Sequence, residues 1–240
     1  GCMVIYFDTE EVGIGLPMPG LSIKLVPLDG RYEIRMKGPM VTPGYLHENE
    51  KNAEIFDEEG YFRIGDAAKF IERGNIERGL RFAGRLAEEF KLASGSWVSA
   101  GNLRAAVVQV CAPMVSDALV CGVNREYVAV LAWPNPAGIE KILGKCPKNA
   151  VALATDPAIR ETLLGALNAY NEKNPGNSTR IRRFAFLDEP PSIDGHEISD
   201  KGTVNQSVAL RRRGDDVERL YVEQPDDSVI VLQERGRRGH

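Results

Sequence analysis

Apolar and polar residues alternate along this chain with two periods, and the period changes part-way. In residues 21–37, LSIKLVPLDGRYEIRMK, the second half alternates strictly: Tyr32, Ile34 and Met36 interleave with Glu33, Arg35 and Lys37. A repeat of two is that of a strand with one face turned to water. Asp29-Gly30 separates two such runs and predicts a tight hairpin, because a two-residue turn of this kind needs positive φ at both positions. Residues 15–20 (GLPMPG) and 38–46 (GPMVTPGYL) read as loops stiffened by Pro and Gly. Residues 48–62 (ENEKNAEIFDEEGYF) predict a short acidic helix and then a turn at Gly60. Residues 61–85 (YFRIGDAAKFIERGNIERGLRFAGR) predict a strand, Asp66, a second strand, a turn and a third strand ending at Arg85.

Beyond Lys91 the repeat lengthens. Residues 102–114 (NLRAAVVQVCAPM) carry apolar side chains at helical spacing. Residues 117–124 (DALVCGVN) and 126–135 (EYVAVLAWPN) predict two strands with a tight turn at Asn124-Arg125, and 135–144 (NPAGIEKILG) a short helix. A longer helix follows, with Thr155 or Asp156 as N-cap and Pro157 in the first helical position. Its Ile159, Leu163, Leu167 and Tyr170 fall on one stripe. Residues 180–192 predict a strand, 198–206 (ISDKGTVNQ) a loop and 207–223 (SVALRRRGDDVERLYVE) a polar-rich helix. The fold class expected is α+β: a β-rich subdomain at 1–84 and a small α+β domain at 85–224, then a tail at 225–240 that is mobile or forms an added edge strand. No internal repeat is evident.

The join is FAGRLAEEFKLASG, residues 82–95. Ala87, Ala93, Ser94, Gly95 and Ser96 are small enough to absorb a large φ/ψ change there. Arg85 and Lys91 then stand on either side of a joint, placed to reach one ligand from two directions.

Composition narrows the function classes. The 240 residues are 43% hydrophobic and 27% charged, with a net charge of −4. This fits a globular protein and argues against one whose main business is gripping a nucleic-acid backbone. Arg211–Arg213 have Asp215, Asp216 and Glu218 nearby and read as a solvated helix face, so no nucleic-acid partner is expected. The four cysteines (Cys2, Cys111, Cys121, Cys146) form no C-x-x-C and there are three histidines, so reduced, mostly buried thiols in a cytoplasmic protein are expected and a metal site is not. The longest apolar run, near Tyr127–Trp133, is far shorter than the ~20 residues a membrane helix needs, so no membrane partner is expected. The start, GCMVIYFDTEE, has neither the features of a signal peptide nor an initiator methionine, and a piece of a longer protein is expected.

Five stretches occur in a fixed order: GLPMPG, EIRMKGPMVTPGYL, GYFRIGDAAKF, FAGRLAEEFKLASGSWVS and DKGTVNQ. Together they resemble the C-terminal part of ATP-dependent carboxylate-adenylating enzymes, the acyl-CoA synthetase superfamily, over nearly all of residues 12–222. FKLASGSWVSAGNLR and ISDKGTVNQ are most similar to feruloyl-CoA synthetases. The resemblance implies an acid–thiol ligase using ATP, Mg2+ and coenzyme A. A small-molecule carboxylate attacks the α-phosphate, pyrophosphate leaves, the small domain rotates, and the CoA thiol then displaces AMP. By the same resemblance Asp66 accepts hydrogen bonds from the ribose hydroxyls, and Arg85 touches the ribose or phosphate side of the nucleotide. The resemblance also implies Lys201 as the catalytic adenylation lysine, although it precedes Gly202 where the commoner motif has the lysine after the glycine: either the loop presents Lys201 two residues earlier or the role has moved. Lys91 is a lysine near CoA or the carboxylate in the second conformation. The hinge falls at Ala87 and Glu88, where the family more often has Asp or Lys two residues after the arginine.

The family's phosphate loop, acyl pocket and Thr-Glu pair are expected upstream, in an N-terminal domain of the same enzyme. Thr9-Glu10 sits where the family has a variable connector and is read as such. The chain is accordingly expected to be about the last third of the enzyme and inactive alone. Two alternatives stand beside this reading: a stand-alone non-catalytic module that binds a partner or a pantetheine-bearing ligand, and an adenylating enzyme that loads a carrier-protein pantetheine.

Overall fold

A computed structural model of the protein describes residues 3–4, 13–199 and 202–232. The chain divides after Ala87 into two units.

In the first unit, β1 (Met3–Val4) pairs antiparallel with β2 (Leu16–Pro17). β3 (Ser22–Leu28), β4 (Arg31–Lys37), β5 (Phe62–Glu72) and β6 (Asn75–Arg85) make an antiparallel sheet in that order, with α1 (Asn49–Ile55) between β4 and β5. The β3–β4 turn is the expected hairpin: Asp29 and Gly30 have φ of 43° and 76°. One sheet face packs Ile34, Met36, Ala68 and Leu80 together with Leu21. The opposite face, expected to be wet, instead carries a charge network. Asp57 accepts from Lys24 (3.0 Å) and Arg35 (3.1 Å) and from the Tyr61 backbone N–H (2.9 Å), and Arg35 also binds Glu33. Burial alone would raise the Asp57 pKa, yet the Tyr61 N–H, Lys24 and Arg35 hold it far below the usual carboxylate range. The two strands expected on either side of Asp66 are one long strand, β5, which is bulged there rather than broken.

The second unit opens with a turn of 3-10 helix at Leu86–Glu88, whose last residue it contains. β7 (Glu89–Lys91) and β8 (Trp97–Ser99) then form a small hairpin. The Leu92 N–H donates to Ser96 O (3.0 Å) and the Ala93 N–H to Arg125 O (2.8 Å). Ala93, Ser94, Gly95 and Ser96, expected to absorb a hinge motion, are thus a hydrogen-bonded turn fastened to a neighbouring loop. The chain continues through α2 (Ala100–Val110), β9 (Val115–Cys121), β10 (Val128–Pro134), α3 (Pro136–Leu143), α4 (Ala150–Thr155), α5 (Pro157–Lys173), β11 (Ile181–Phe186), α6 (Gln206–Arg212), α7 (Gly214–Arg219) and β12 (Val229–Val231). Asp156 is the N-cap of α5, accepting from the Ala158 and Ile159 N–H groups, with Pro157 in the first helical position.

The four-stranded sheet runs β12-β11-β10-β9, with β10 and β11 parallel and the other neighbours antiparallel. β10 accounts for the long apolar run of the sequence, since both its faces are covered. Val128, Val130 and Ala132 join the core with α2, α4 and α5, among them Leu103, Leu153, Ile159 and Leu163. Ala129, Leu131 and Trp133 face the other way, onto Ala209, Leu220 and Val204. The expected tail is in part structural: β12 pairs with β11, and Val229, Ile230 and Leu232 are buried. Residues 233–240 lie outside the described residues. Among the described residues no helix is long and apolar enough to cross a membrane.

Candidate functional site

Asp66 and Arg85 are brought together by two irregularities in the first sheet. Between the β4–β5 pairs Glu33↔Ala67 and Arg35↔Arg63, one intervening residue on β4 faces three on β5. Gly65 takes up the excess at φ 77°, a conformation a side chain rarely adopts. Between the β5–β6 pairs Asp66↔Arg85 and Ala68↔Phe82, the surplus residue is on β6, and Gly84 has φ 113°. The chain thus spends two bulges and two glycines on setting one carboxylate opposite one guanidinium.

Arg85 Nε stands 3.6 Å from Asp66 Oδ1, and the two side chains are 64% and 29% exposed. Partial burial raises the Asp66 pKa, and the positive charge of Arg85 opposes that rise. The separation exceeds a hydrogen bond, so the carboxylate oxygens keep acceptor capacity for outside donors. A carboxylate with free lone pairs beside an exposed guanidinium fits a ligand that carries two adjacent hydroxyls next to a negative group.

Lys91 and Trp97 are cross-strand partners on β7 and β8, and Lys91 Nζ sits 4.7 Å from the centre of the indole ring. Lys91 itself is exposed. Of the two hinge residues, Ala87 ends the first unit and Glu88 begins the second. The Glu88 carboxylate fills the space beside Gly101 that any side chain there would need.

Lys201, with Asp200, lies outside the described residues. Ile198 and Val204 form a bridge, the Ser199 N–H donates to Thr203 O (2.8 Å), and the two hydroxyls of Ser199 and Thr203 lie 2.8 Å apart. Glu197, at the foot of this loop, is fully buried. Its carboxylate accepts from Arg213 Nε and Nη2, both at 3.0 Å, and from the Ser192 N–H at 2.6 Å. Arg213 also donates to Pro190 O (3.0 Å).

Arg213, expected on a solvated face with Arg211 and Arg212, is thus a buried ion-pair partner. The single helix expected at 207–223 is broken there into α6 and α7. Both residues escaped the sequence reading. A signal was present for Arg213: with Gln206 and Ala209, both buried, it falls at i, i+3 and i+7, the inward stripe of a helix.

Lys91, Lys201 and the Glu197–Arg213 pair belong to the second unit, Asp66 and Arg85 to the first. Among the described residues no group of three or more His, Cys, Asp or Glu side chains is placed to hold a metal ion.

Residues 89–225 match the family model described as "AMP-binding enzyme C-terminal domain". The Mycobacterium tuberculosis protein fadD11 is 28% identical over 213 residues, covering 87% of this chain and 35% of that protein. The long-chain-fatty-acid–CoA ligase ACSBG1 of Rattus norvegicus is 25% identical over 231 residues, covering 88% of this chain and 31% of the ligase. The chain therefore spans about a third of the length of the curated relatives it matches. In fold it is similar to the adenylation domain of a carboxylic acid reductase from Segniliparus rugosus, with a TM-score of 0.67 at 24% identity over 86% of this chain and 32% of that one. The corresponding Mycobacterium chelonae domain gives a TM-score of 0.68 at 23% identity, over 86% and 32%. With more than half of its residues inside the family match and the α+β fold of the C-terminal part of adenylate-forming enzymes, this chain belongs to the AMP-binding enzyme C-terminal domain family of the adenylate-forming superfamily.

Proposed function

We propose that this chain is the nucleotide-facing C-terminal part of a carboxylate–CoA ligase, and that its acid is an aryl carboxylate of the feruloyl kind. The observation that carries the proposal is the Asp66–Arg85 pair, set by two bulges at a place where the sequence resembles the ribose contact of adenylating enzymes.

In this reading Asp66 orients ATP by accepting from the ribose hydroxyls. Arg85 lies against the ribose or phosphate side and holds its negative charge. Lys201 brings a cation to the carboxylate and α-phosphate as a carboxylate oxygen bonds to phosphorus and pyrophosphate leaves. The thiol sulfur of CoA then bonds to the acyl carbon, the acyl–AMP bond breaks, and AMP departs. Lys91 serves this second step, and rotation about Ala87 and Glu88 exchanges the two lysines. Mg2+ would neutralise phosphate charge when bound.

Two experiments test the proposal. The complete enzyme, given ATP, Mg2+ and CoA, should form a thioester faster from ferulate than from a long-chain fatty acid. The reverse order would move the substrate class to that of the fatty-acid–CoA ligases to which the chain is similar, and thioester from neither would defeat the ligase reading. The 240-residue chain alone, given ATP, Mg2+ and ferulate, should release no pyrophosphate above a heat-killed control. Sustained turnover would show that the activity needs no upstream domain.

A further inference from the structure

The first unit holds a second concentration of charge that the adenylation reading does not use. A hollow of about 460 Å³ opens between the β3–β4 turn and the β5–β6 hairpin. Its lining carries four cations, Arg31, Lys69, Arg73 and Arg81, against one carboxylate, Asp29. The chain as a whole has a net charge of −4, so this is a local reversal of sign. Lys69 and Arg81 are directly opposed on β5 and β6. Like charges in that position destabilise a ladder unless an anion lies between them.

Asp29, Arg31 and Arg81 each have an interaction partner within the chain, and Arg31 donates to Ala83 O at 2.9 Å. Lys69 and Arg73 make no ion pair among the described residues. The rings of Tyr32 and Phe70, in edge-to-face contact at 5.4 Å, give the hollow an apolar wall.

We infer that this hollow binds a small soluble ligand bearing two or more phosphate groups. Arg73 brings a planar fork that matches phosphate oxygens and Lys69 a second cation, and one carboxylate against four cations leaves charge for more than a single anionic group. The volume lies within the ~300–1,000 Å³ of small-molecule sites. Asp66 is not part of the lining, so this site is distinct from the proposed ribose contact.

The test is calorimetric titration of the 240-residue chain with sodium tripolyphosphate, which has no ribose. One saturable site is expected, weakening as sodium chloride is raised. The double substitution Lys69→Ala/Arg73→Ala should lower affinity about tenfold or more. Both side chains are exposed, and an unchanged circular dichroism spectrum would show that the fold survives. Arg85→Ala, which removes the cation of the other site and lies outside the hollow's lining, should leave tripolyphosphate binding as it is. Absence of saturable binding overturns the inference. So does wild-type affinity in the double variant, or loss of binding in Arg85→Ala, which would place the anion at the other site. Tight binding of a single-stranded oligonucleotide with none of tripolyphosphate would also overturn it, in favour of an extended nucleic-acid groove.

Discussion

Glu197 and Arg213 face each other through two hydrogen bonds of 3.0 Å, with their side chains 1% and 9% exposed. The pair stands at the base of the loop whose sequence carries Lys201, and it also gathers Ser192 and Pro190 from the approaching chain. The pair thus ties residues 190–197, on one side of that loop, to the end of α6 on the other.

Removing one partner strands the other as a buried charge. Glu197→Ala should therefore destabilise the second unit by about 3–5 kcal/mol, measured by urea unfolding followed in the near-ultraviolet, where Trp133 lies beside Arg213. A loss under about 1 kcal/mol would mean that water replaces the carboxylate readily.

The same pair predicts an acid response. The Arg213 hydrogen bonds hold the Glu197 carboxyl below its ordinary value. A depressed folded-state pKa contributes stability above the unfolded value, about 4.3, and loses it as pH falls through the folded value. Unfolding free energy of the wild type should fall on acidification below that point, and Glu197→Gln should flatten this part of the curve. Equal slopes in the two proteins would assign the acid sensitivity to other carboxylates.

Thiol chemistry should be selective. Burial pushes the Cys111 and Cys121 thiols up to about 12, whereas Cys146 is only half-buried. At pH 8 an aromatic disulfide reagent should modify Cys146 in the native protein and reach Cys111 and Cys121 only after unfolding, as peptide mapping would show. Rapid native modification of Cys121 would reveal opening of the β9–β10 region.

Limited proteolysis should cut first at 85–88, between the two units, and leave a product beginning near Glu88. The turn at Ala93–Ser96 should resist, because its backbone is tied to Leu92 and Arg125. First cuts at 93–96 would restore the broader joint that the run of small residues suggests.

In the complete enzyme, Lys201→Ala should lower adenylate formation by about 10²–10³, the loss typical of one removed electrostatic contact. Thioester formation from supplied acyl-adenylate should change far less, and Lys91→Ala should show the opposite bias. Adenylation within about a factor of two of wild type would place the cation elsewhere.

Much of this was legible in the sequence for identifiable reasons. Asp29-Gly30 announced its turn because few residue pairs accept two positive φ values, and Asp156-Pro157 announced a helix start because capping chemistry is local. Asp66 and Arg85 were singled out by resemblance, but their pairing depends on bulges, where an extra residue breaks the period of two. The Glu33–Arg35–Asp57–Lys24 network was missed because alternation reports which face a residue is on and not what covers that face. Glu197 and Arg213 were missed because a buried charge is visible only with its partner, and these two are 16 residues apart. β12 reads equally as strand or tail in the sequence because three residues are too few to show a period.

The central claim is that Asp66 holds the ribose of ATP. The most direct measurement is carboxylate-dependent exchange of labelled pyrophosphate into ATP by the complete enzyme, comparing wild type with Asp66→Ala. Loss of hydrogen bonds to a charged acceptor should raise the KM for ATP about tenfold or more while changing the KM for the acid by less than about twofold. An unchanged KM for ATP would contradict the account, because the carboxylate that two bulges set beside Arg85 would then not touch the nucleotide.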